Sequence, residues 1–245
     1  MPTTVVNLRN QEYDIPIGRP SLFGNPFSHL ENSLAKFKVT SRDEAVDLYS
    51  EWAPKQPKIM AALPSLKNLR LGCYCVPARC HGEIVVELVD GFYPKAPDII
   101  NEFRSKNRTY SNFSFVEVVY EGVAYRSVEH AYQAAKSLDN GTRKLIASLP
   151  RPGDAKRAGG SIPLRSGWNT LRVSVMECLL REKFGSANWY HHHKLLATGQ
   201  AELVEGNTWH DLFWGCCSCP LHQGAGENQL GKLLMKLRSE YGIKH

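Results

Sequence analysis

The stretch FVEVVYEGVAYRSVEHAYQAAK, residues 115–136, changes its periodicity in mid-course. Phe115 to Tyr120 alternates, Glu121-Gly122 supplies a turn, and Val123 to Tyr125 returns, which predicts a β-hairpin. Ser127 then stands where a helix cap belongs, and the spacing predicts a helix to about Ser137. Val128, Ala131, Tyr132 and Ala135 form a stripe that can bury. Glu129, Gln133 and Lys136, at i, i+4 and i+7, share another face. A small sheet feeding directly into helices predicts an α+β domain, mostly helical with a small antiparallel sheet.

Working toward the C-terminus, helices dominate. Thr170 to Phe184 is amphipathic, with Leu171, Val175, Cys178, Leu179 and Phe184 on or near one stripe. Trp189 to Thr198 predicts a second helix, closed by Gly199 where a left-handed cap is cheapest. His191-His-His193 lies inside it and reads as polar helix surface. Asn228 to Tyr241 predicts the last helix, with Leu230, Leu233, Leu234, Leu237 and Tyr241 inward.

Toward the N-terminus, Gly91, Pro94, Pro97 and the polar run 105–109 mark a break. The predicted domains are 1–107, a small α/β unit, and 108–245, the mostly helical unit. In the first, Thr4 to Leu8 reads as a strand, followed by a Gly/Pro-rich loop from Tyr13 to Phe27. Ser41 with Glu44 forms a capping box that starts a helix to about Ala53. Asn68 to Cys75 reads as a strand, and Gly82 to Val89 as a short helix or strand.

The chain has 245 residues, 42% hydrophobic and 22% charged, which excludes a collagen, a coiled coil or wholesale disorder. No apolar run approaches the roughly 18 residues of a spanning helix, and Met1 to Arg9 predicts no secretory signal. Seven cysteines is an odd number, which predicts reduced thiols in a cytosol. The net charge is +6, with 17 basic and 12 acidic residues in 108–245. Within 143–172 stand Arg143, Lys144, Arg151, Lys156, Arg157, Arg165 and Arg172 against Asp154 alone. Such a run fits either an anionic partner or a solvated surface.

Three groups of residues carry candidate chemistry. A carboxylate and an amine two turns apart on one helix, Glu129 and Lys136, suit an acid/base and a nucleophile; the same spacing suits an exposed salt-bridged face. Trp209-His-Asp-Leu-Phe-Trp-Gly215, followed by Gly224, Gly226 and Asn228 at a helix start, suits a nucleotide site or a core aromatic cluster. Cys73, Cys75, Cys80 and His81, and separately Cys216, Cys217, Cys219 and His222, each hold enough ligands for tetrahedral zinc. Neither has two C-x2-C hooks, and buried or unpaired thiols are the alternative.

The second domain resembles the NADAR family over roughly 110–241. The resemblance rests on Ser111-Asn-Phe113, Ser127 to Lys136, Ala155-Lys-Arg157 with Gly159, and Arg165-Ser-Gly-Trp168. It continues through Val175-Met176, Lys183-Phe184, Leu195 to Gly199 and Leu203-Val-Glu205. Asp211, Trp214-Gly215, Asn228-Gln-Leu-Gly231 and Leu233-Leu-Met235 complete it. One departure is visible: the glycine-rich segment after Trp214-Gly215 carries Cys216, Cys217 and Cys219. The first domain resembles a separate small family over roughly 4–90, through Ile17-Gly-Arg-Pro20, Gly24-Asn-Pro-Phe27, Leu71 to Cys75 and Cys80-His-Gly82. That implies a fold but no activity, with Arg19, Asn25 and His81 as its pocket residues.

The NADAR resemblance implies an N-glycosidase that cleaves between ribose C1 and an amine nitrogen. It implies Lys136 as the nucleophile, forming a Schiff base with the opened ribose, Glu129 as the proton-transfer residue, and Asp211 beside them. It implies Trp214 at the base end and Arg157 and Arg165 on a pyrophosphate. Asn112, Phe113, Gln133, Trp168, Gly215 and Asn228 complete the expected ligand-binding set. The expected substrate is the ADP-ribose of modified guanine in DNA, removed to reverse a toxin, as antitoxin, repair factor or phage anti-defence factor. The alternatives are a metabolic N-glycosidase on riboflavin intermediates and a non-catalytic ADP-ribose or nucleic-acid binding module. Nucleic acid is the expected partner, with neither a membrane nor an obligate protein partner, and the expected compartment is the cytoplasm.

Overall fold

The computed structural model describes residues 1–95 and 97–242. The chain divides into two compact units, 1–95 and 96–245. The division falls twelve residues before the expected 107/108. Ile99-Ile100, in the predicted break, pairs in parallel with Glu202-Leu203 of the second unit.

In the first unit, strands β1 (Thr4–Asn7) and β2 (Ile15–Pro16) precede a two-residue parallel pair, β3 (Phe27–Ser28) with β4 (Phe37–Lys38). Helices α1 (Arg42–Trp52) and α2 (Pro57–Ala62), strand β5 (Arg70–Cys73) and helix α3 (His81–Asp90) follow. Strand β5 lies between β1 and β2, parallel to both, so the three-stranded sheet needs crossovers that α1 and α2 supply. Ser41 Oγ accepts the Glu44 amide, while the Glu44 carboxylate reaches Thr40 rather than Ser41. The ambiguous segment 82–89 is helical. Cys80 caps it, with its backbone N–H donated to Glu83 at 2.9 Å. Ile17, Tyr49, Leu66, Leu71 and Val85 fill the core.

The second unit begins with β6 (Ile99–Ile100) and the hairpin β7 (Val118–Tyr120) and β8 (Val123–Tyr125). Glu121 and Gly122 both take positive φ, 46° and 78°, the turn whose twist matches a hairpin. Then come α4 (Val128–Ala134), α5 (Asn140–Ser148), α6 (Pro152–Gly160), α7 (Trp168–Phe184) and α8 (Trp189–Leu196). Two-residue strands β9 (Glu202–Leu203), β10 (Gly206–Asn207) and β11 (Cys216–Cys217) precede the last helix, α9 (Gln229–Gly242). The hairpin is antiparallel as expected; β6–β9 and β10–β11 add two parallel pairs.

Two helix readings shift. In α7 the buried stripe is Val175, Met176, Leu179, Leu180, Lys183 and Phe184, while Leu171 and Cys178 are exposed. His191 is not surface: it is buried between the rings of Phe184 and Tyr190, and only His193 of the three histidines is exposed. No helix among the described residues is long and apolar enough to cross a membrane.

Candidate active site

Helix α4 is buried all round, including its polar face: Glu129 is 6% and Gln133 5% exposed. An exposed salt-bridged face is therefore excluded. The helix start is locked by Ser127, whose hydroxyl accepts the His130 amide and meets His130 Nδ1 at 2.7 Å. Gln133 Nε2 donates to Glu129 Oε1 at 2.8 Å. Burial raises the Glu129 pKa, and the Gln133 hydrogen bond and the charges of Lys156 and Lys136 offset this only in part. Lys136 stands two residues past the end of α4, its Nζ donating to Gly159 O at 3.1 Å. Burial lowers its pKa, so more of the amine is free at neutral pH than in water.

Helix α6 packs on α4 because Gly159 has no side chain: a Cβ there would lie 2.7 Å from Gln133 Cβ. Beyond α4, Tyr132 packs on Trp168 at 5.2 Å and edge-on to Trp214 at 5.5 Å. Asn112 accepts the Glu129 amide through its carbonyl, and its buried Oδ1 has no partner among the described residues.

A cavity of ≈ 400 Å³ in the same unit is lined by Phe113, Lys156 of α6, Glu205 and Trp209, with Arg104 and Arg108 at its cationic side. Lys156 lies 5.7 Å from the Phe113 ring centre and 5.9 Å from that of Trp209; Arg104 lies 5.2 Å from the latter. Glu205 was not singled out as a site residue by spacing, yet its Oε2 is buried without a hydrogen bond. Its pKa is pushed up to about 8, first by burial and then by the Asp211 charge. Glu129 connects the two regions, sensing Lys136, Lys156 and Asp211 together.

The remaining expected residues separate. Asp211 Oδ1 accepts the Phe213 and Trp214 amides at 3.1 and 2.9 Å, while its charge reaches Glu129 and Glu205. Gly215 lets the chain pass Glu205, whose Cγ would lie 3.0 Å from an added Cβ. Asn228 is a brace: it accepts the Glu205 amide and donates to Leu203 O. Arg157 is exposed and pairs with Asp154, so the position of α6 that reaches the cavity is Lys156. Arg165 lies over Trp168, with its amide donating to Lys136 O at 2.8 Å.

The basic run 143–172 is largely engaged inside its own unit. Arg143 is buried, bonded to Ser137 O and Glu121. Arg172 lies 3.4 Å from the Phe213 ring centre, and Arg151 shares Asp154 with Arg157.

All seven cysteines are free thiols. In the first unit, Cys73, Cys80 and His81 place ligand atoms within 4.8 Å of one another, with Cys75 in hydrogen-bonding reach. Arg19, Asn25 and His81 line a separate ≈ 530 Å³ cavity there. In the second unit the converging donors are His210, Cys217, Cys219 and His222. Cys216 is not among them; its thiol turns to Gly226 O. His210 takes the place expected for it, supplied from nine residues before Cys219.

A buried acid on α4, an amine of lowered pKa just past its end, and a cavity of cations and aromatic rings whose Lys156 acts on that acid belong to an α+β domain with groups suited to acid/base chemistry. Residues 98–241 match the model of the NADAR domain, more than half of the chain, and the chain belongs to that family. Residues 4–91 match a domain of unknown function, DUF4326. N-glycosidase YbiA of Escherichia coli (strain K12) is 37% identical over 152 residues, 60% of this chain and 91% of that protein. N-glycosidase Npun_R5314 of Nostoc punctiforme is 35% identical over 137 residues, 54% of this chain and 83% of that one. Riboflavin biosynthesis protein VVA0006 of Vibrio vulnificus is 35% identical over 132 residues, 53% of this chain but 34% of its own length. The solved NMR structure of E. coli YbiA superposes with a TM-score of 0.50 at 33% identity, covering 60% of this chain and 90% of that one.

Proposed function

We propose that the second unit is an N-glycosidase that removes ADP-ribose from modified guanine in DNA. The observation that carries the chemistry is the buried Glu129–Gln133 pair on the same face as Lys136, whose pKa burial lowers. Lys136 Nζ attacks ribose C1, and the C1–N bond breaks with its electron pair going to the base nitrogen. The protonated Glu129 supplies the proton for that nitrogen; the C1–O4′ bond then breaks, O4′ takes the proton that Nζ gives up, and an iminium remains between C1 and Nζ. The resulting carboxylate then takes a proton from water, which adds to C1 and releases Lys136. The net change is one water consumed and one N-glycosidic bond hydrolysed.

The cavity supports this substrate class. Arg104, Arg108 and Lys156 provide charge for a pyrophosphate, and Phe113 and Trp209 provide faces on which a base stacks. Free thiols throughout suit work in a reducing cytosol. A second reading, hydrolysis of a phosphorylated ribosylamino-pyrimidine of riboflavin synthesis, is favoured by the relative named for that pathway.

Incubation with ADP-ribosylated DNA and with the ribosylamino-pyrimidine phosphate, side by side, tests the choice. Release of ADP-ribose from the DNA alone is the expected result; turnover of the pyrimidine alone overturns the DNA reading. Lys136→Ala is expected to abolish turnover while ADP-ribose still binds, and borohydride to trap a covalent adduct only on the unaltered protein. A fully active Lys136→Ala enzyme removes the nucleophile assignment and leaves the binding-module reading to be tested.

A further inference from the structure

We propose that His210, Cys217, Cys219 and His222 bind a structural zinc ion that holds one wall of the cavity in place. The four donors come from the segment 208–226, in which Phe213 and Trp214 are packed, but the part that carries the last three donors, 217–222, has its one large apolar side chain, Leu221, 78% exposed. Yet their ligand atoms all lie within 4.8 Å of one another.

The distances match a tetrahedron. Zinc bonds of about 2.0–2.1 Å to nitrogen and about 2.3 Å to sulfur set tetrahedral edges of about 3.3 Å between two nitrogens and about 3.5 Å between nitrogen and sulfur. His210 Nδ1 and His222 Nδ1 are 3.2 Å apart. Cys219 Sγ lies 3.5 Å from His210 Nδ1 and 3.2 Å from His222 Nδ1. Both imidazoles thus aim the same nitrogen at one point. Without a cation only one tautomer's N–H can meet the other's lone pair, whereas a cation takes both lone pairs at once. His210 takes φ 66°, a left-handed conformation that costs about 1 kcal/mol for a residue with a side chain. Ligation gives that conformation a purpose.

Two thiols and two imidazoles select zinc over hard cations, and four protein ligands leave no open position for substrate or water. The site is therefore structural. Its place in the chain gives it a consequence: His210 stands between Trp209, which lines the cavity, and Asp211, whose charge acts on Glu129 and Glu205. A metal on His210 fixes both neighbours. The metal assignment stands apart from the glycosidase reading, since metal content reads the one and turnover the other.

The test uses the full chain purified without added metal, with zinc measured by elemental analysis. The unaltered protein is compared with the double variant Cys219→Ser/His222→Ala, with His210→Ala, and with Cys216→Ser as a neighbouring-thiol control. The expected result is loss of one zinc per chain in the double variant, weakened retention in His210→Ala, and no loss in Cys216→Ser. Zinc held by the Cys73–Cys80–His81 cluster cancels in these differences. If the double variant does not fold, cobalt is loaded into the unaltered protein and into His210→Ala. Intense visible absorption from tetrahedral thiolate-bound cobalt is expected in the first and a weakened band in the second. Equal zinc content in all four proteins, or identical cobalt spectra, overturns the proposal.

Discussion

At the scale of single residues, Glu129 and Lys136 are displaced from their ordinary pKa values in opposite directions, and the signs matter. The proposed first step needs Glu129 protonated and Lys136 neutral. Burial raises the acid and lowers the amine, so both shifts enlarge the population of that form. kcat/KM is expected to rise with pH, level off, and fall again as the pair loses its second proton. Glu129→Gln keeps a side chain that can meet Gln133 but cannot give a proton. It is expected to lower kcat by about 10²- to 10⁴-fold and to remove the alkaline fall, leaving a rise that ends as Lys136 deprotonates. A Glu129→Gln profile that keeps both limbs at full rate would show that another group is the acid. Glu205, with its pKa near 8 and no hydrogen bond on Oε2, is the group to examine in that event.

These two residues were legible in the sequence because one helix carries both, and helical spacing alone puts them on a common face. Glu205 and Lys156 were not singled out. Each reaches the cavity from a separate segment, the link between β9 and β10 for Glu205 and the short helix α6 for Lys156, and no local pattern ties those segments to α4. The same reason explains Arg157, expected on the pyrophosphate but paired with Asp154, while Lys156 one residue earlier lines the cavity.

At the scale of elements, α6 is a helix the sequence reading did not assign. Helix α6 holds Pro152, Gly153, Gly159 and Gly160, which read as breakers. Pro152 sits in the first turn, where its missing N–H costs nothing. Gly159 lets α6 come close enough to α4 that its carbonyl receives Lys136 Nζ. Gly159→Ala is expected to destabilise the fold by about 1–3 kcal/mol, because the added methyl meets the Gln133 side chain. It is also expected to lower kcat by shifting the lysine's acceptor. Gly160→Ala, with nothing within 4 Å of the added carbon, is the matched control. Urea unfolding of both variants checks the pair; equal midpoints would mean that the helices do not need that close approach. Helix α7 gives a related lesson. Lys183 is fully buried, donating to Ser111 O and Ser114 Oγ, and so braces the loop that carries Asn112 and Phe113. A lysine in an apolar stripe looks like an error of phase until its acceptors are known.

At the scale of the whole molecule, the sequence placed most of the positive charge in the second unit and left the first nearly neutral. The structure then reduces what that charge offers to a partner, since Arg143, Arg165 and Arg172 are packed against groups of their own unit. What faces the cavity is a smaller set, Arg104, Arg108 and Lys156, and one of these, Arg104, lies in the segment first assigned to the other domain. Every residue of the proposed site therefore belongs to 96–245, and E. coli YbiA is matched over 91% of its length by 60% of this chain. Residues 96–245 expressed alone are accordingly expected to fold and to keep kcat within about threefold of the full chain, a barrier change below about 1 kcal/mol. Turnover measured on both proteins with the same ADP-ribosylated substrate checks this. A loss beyond about tenfold in a folded fragment would assign the first unit, with its own cavity at Arg19, Asn25 and His81, a part in the reaction.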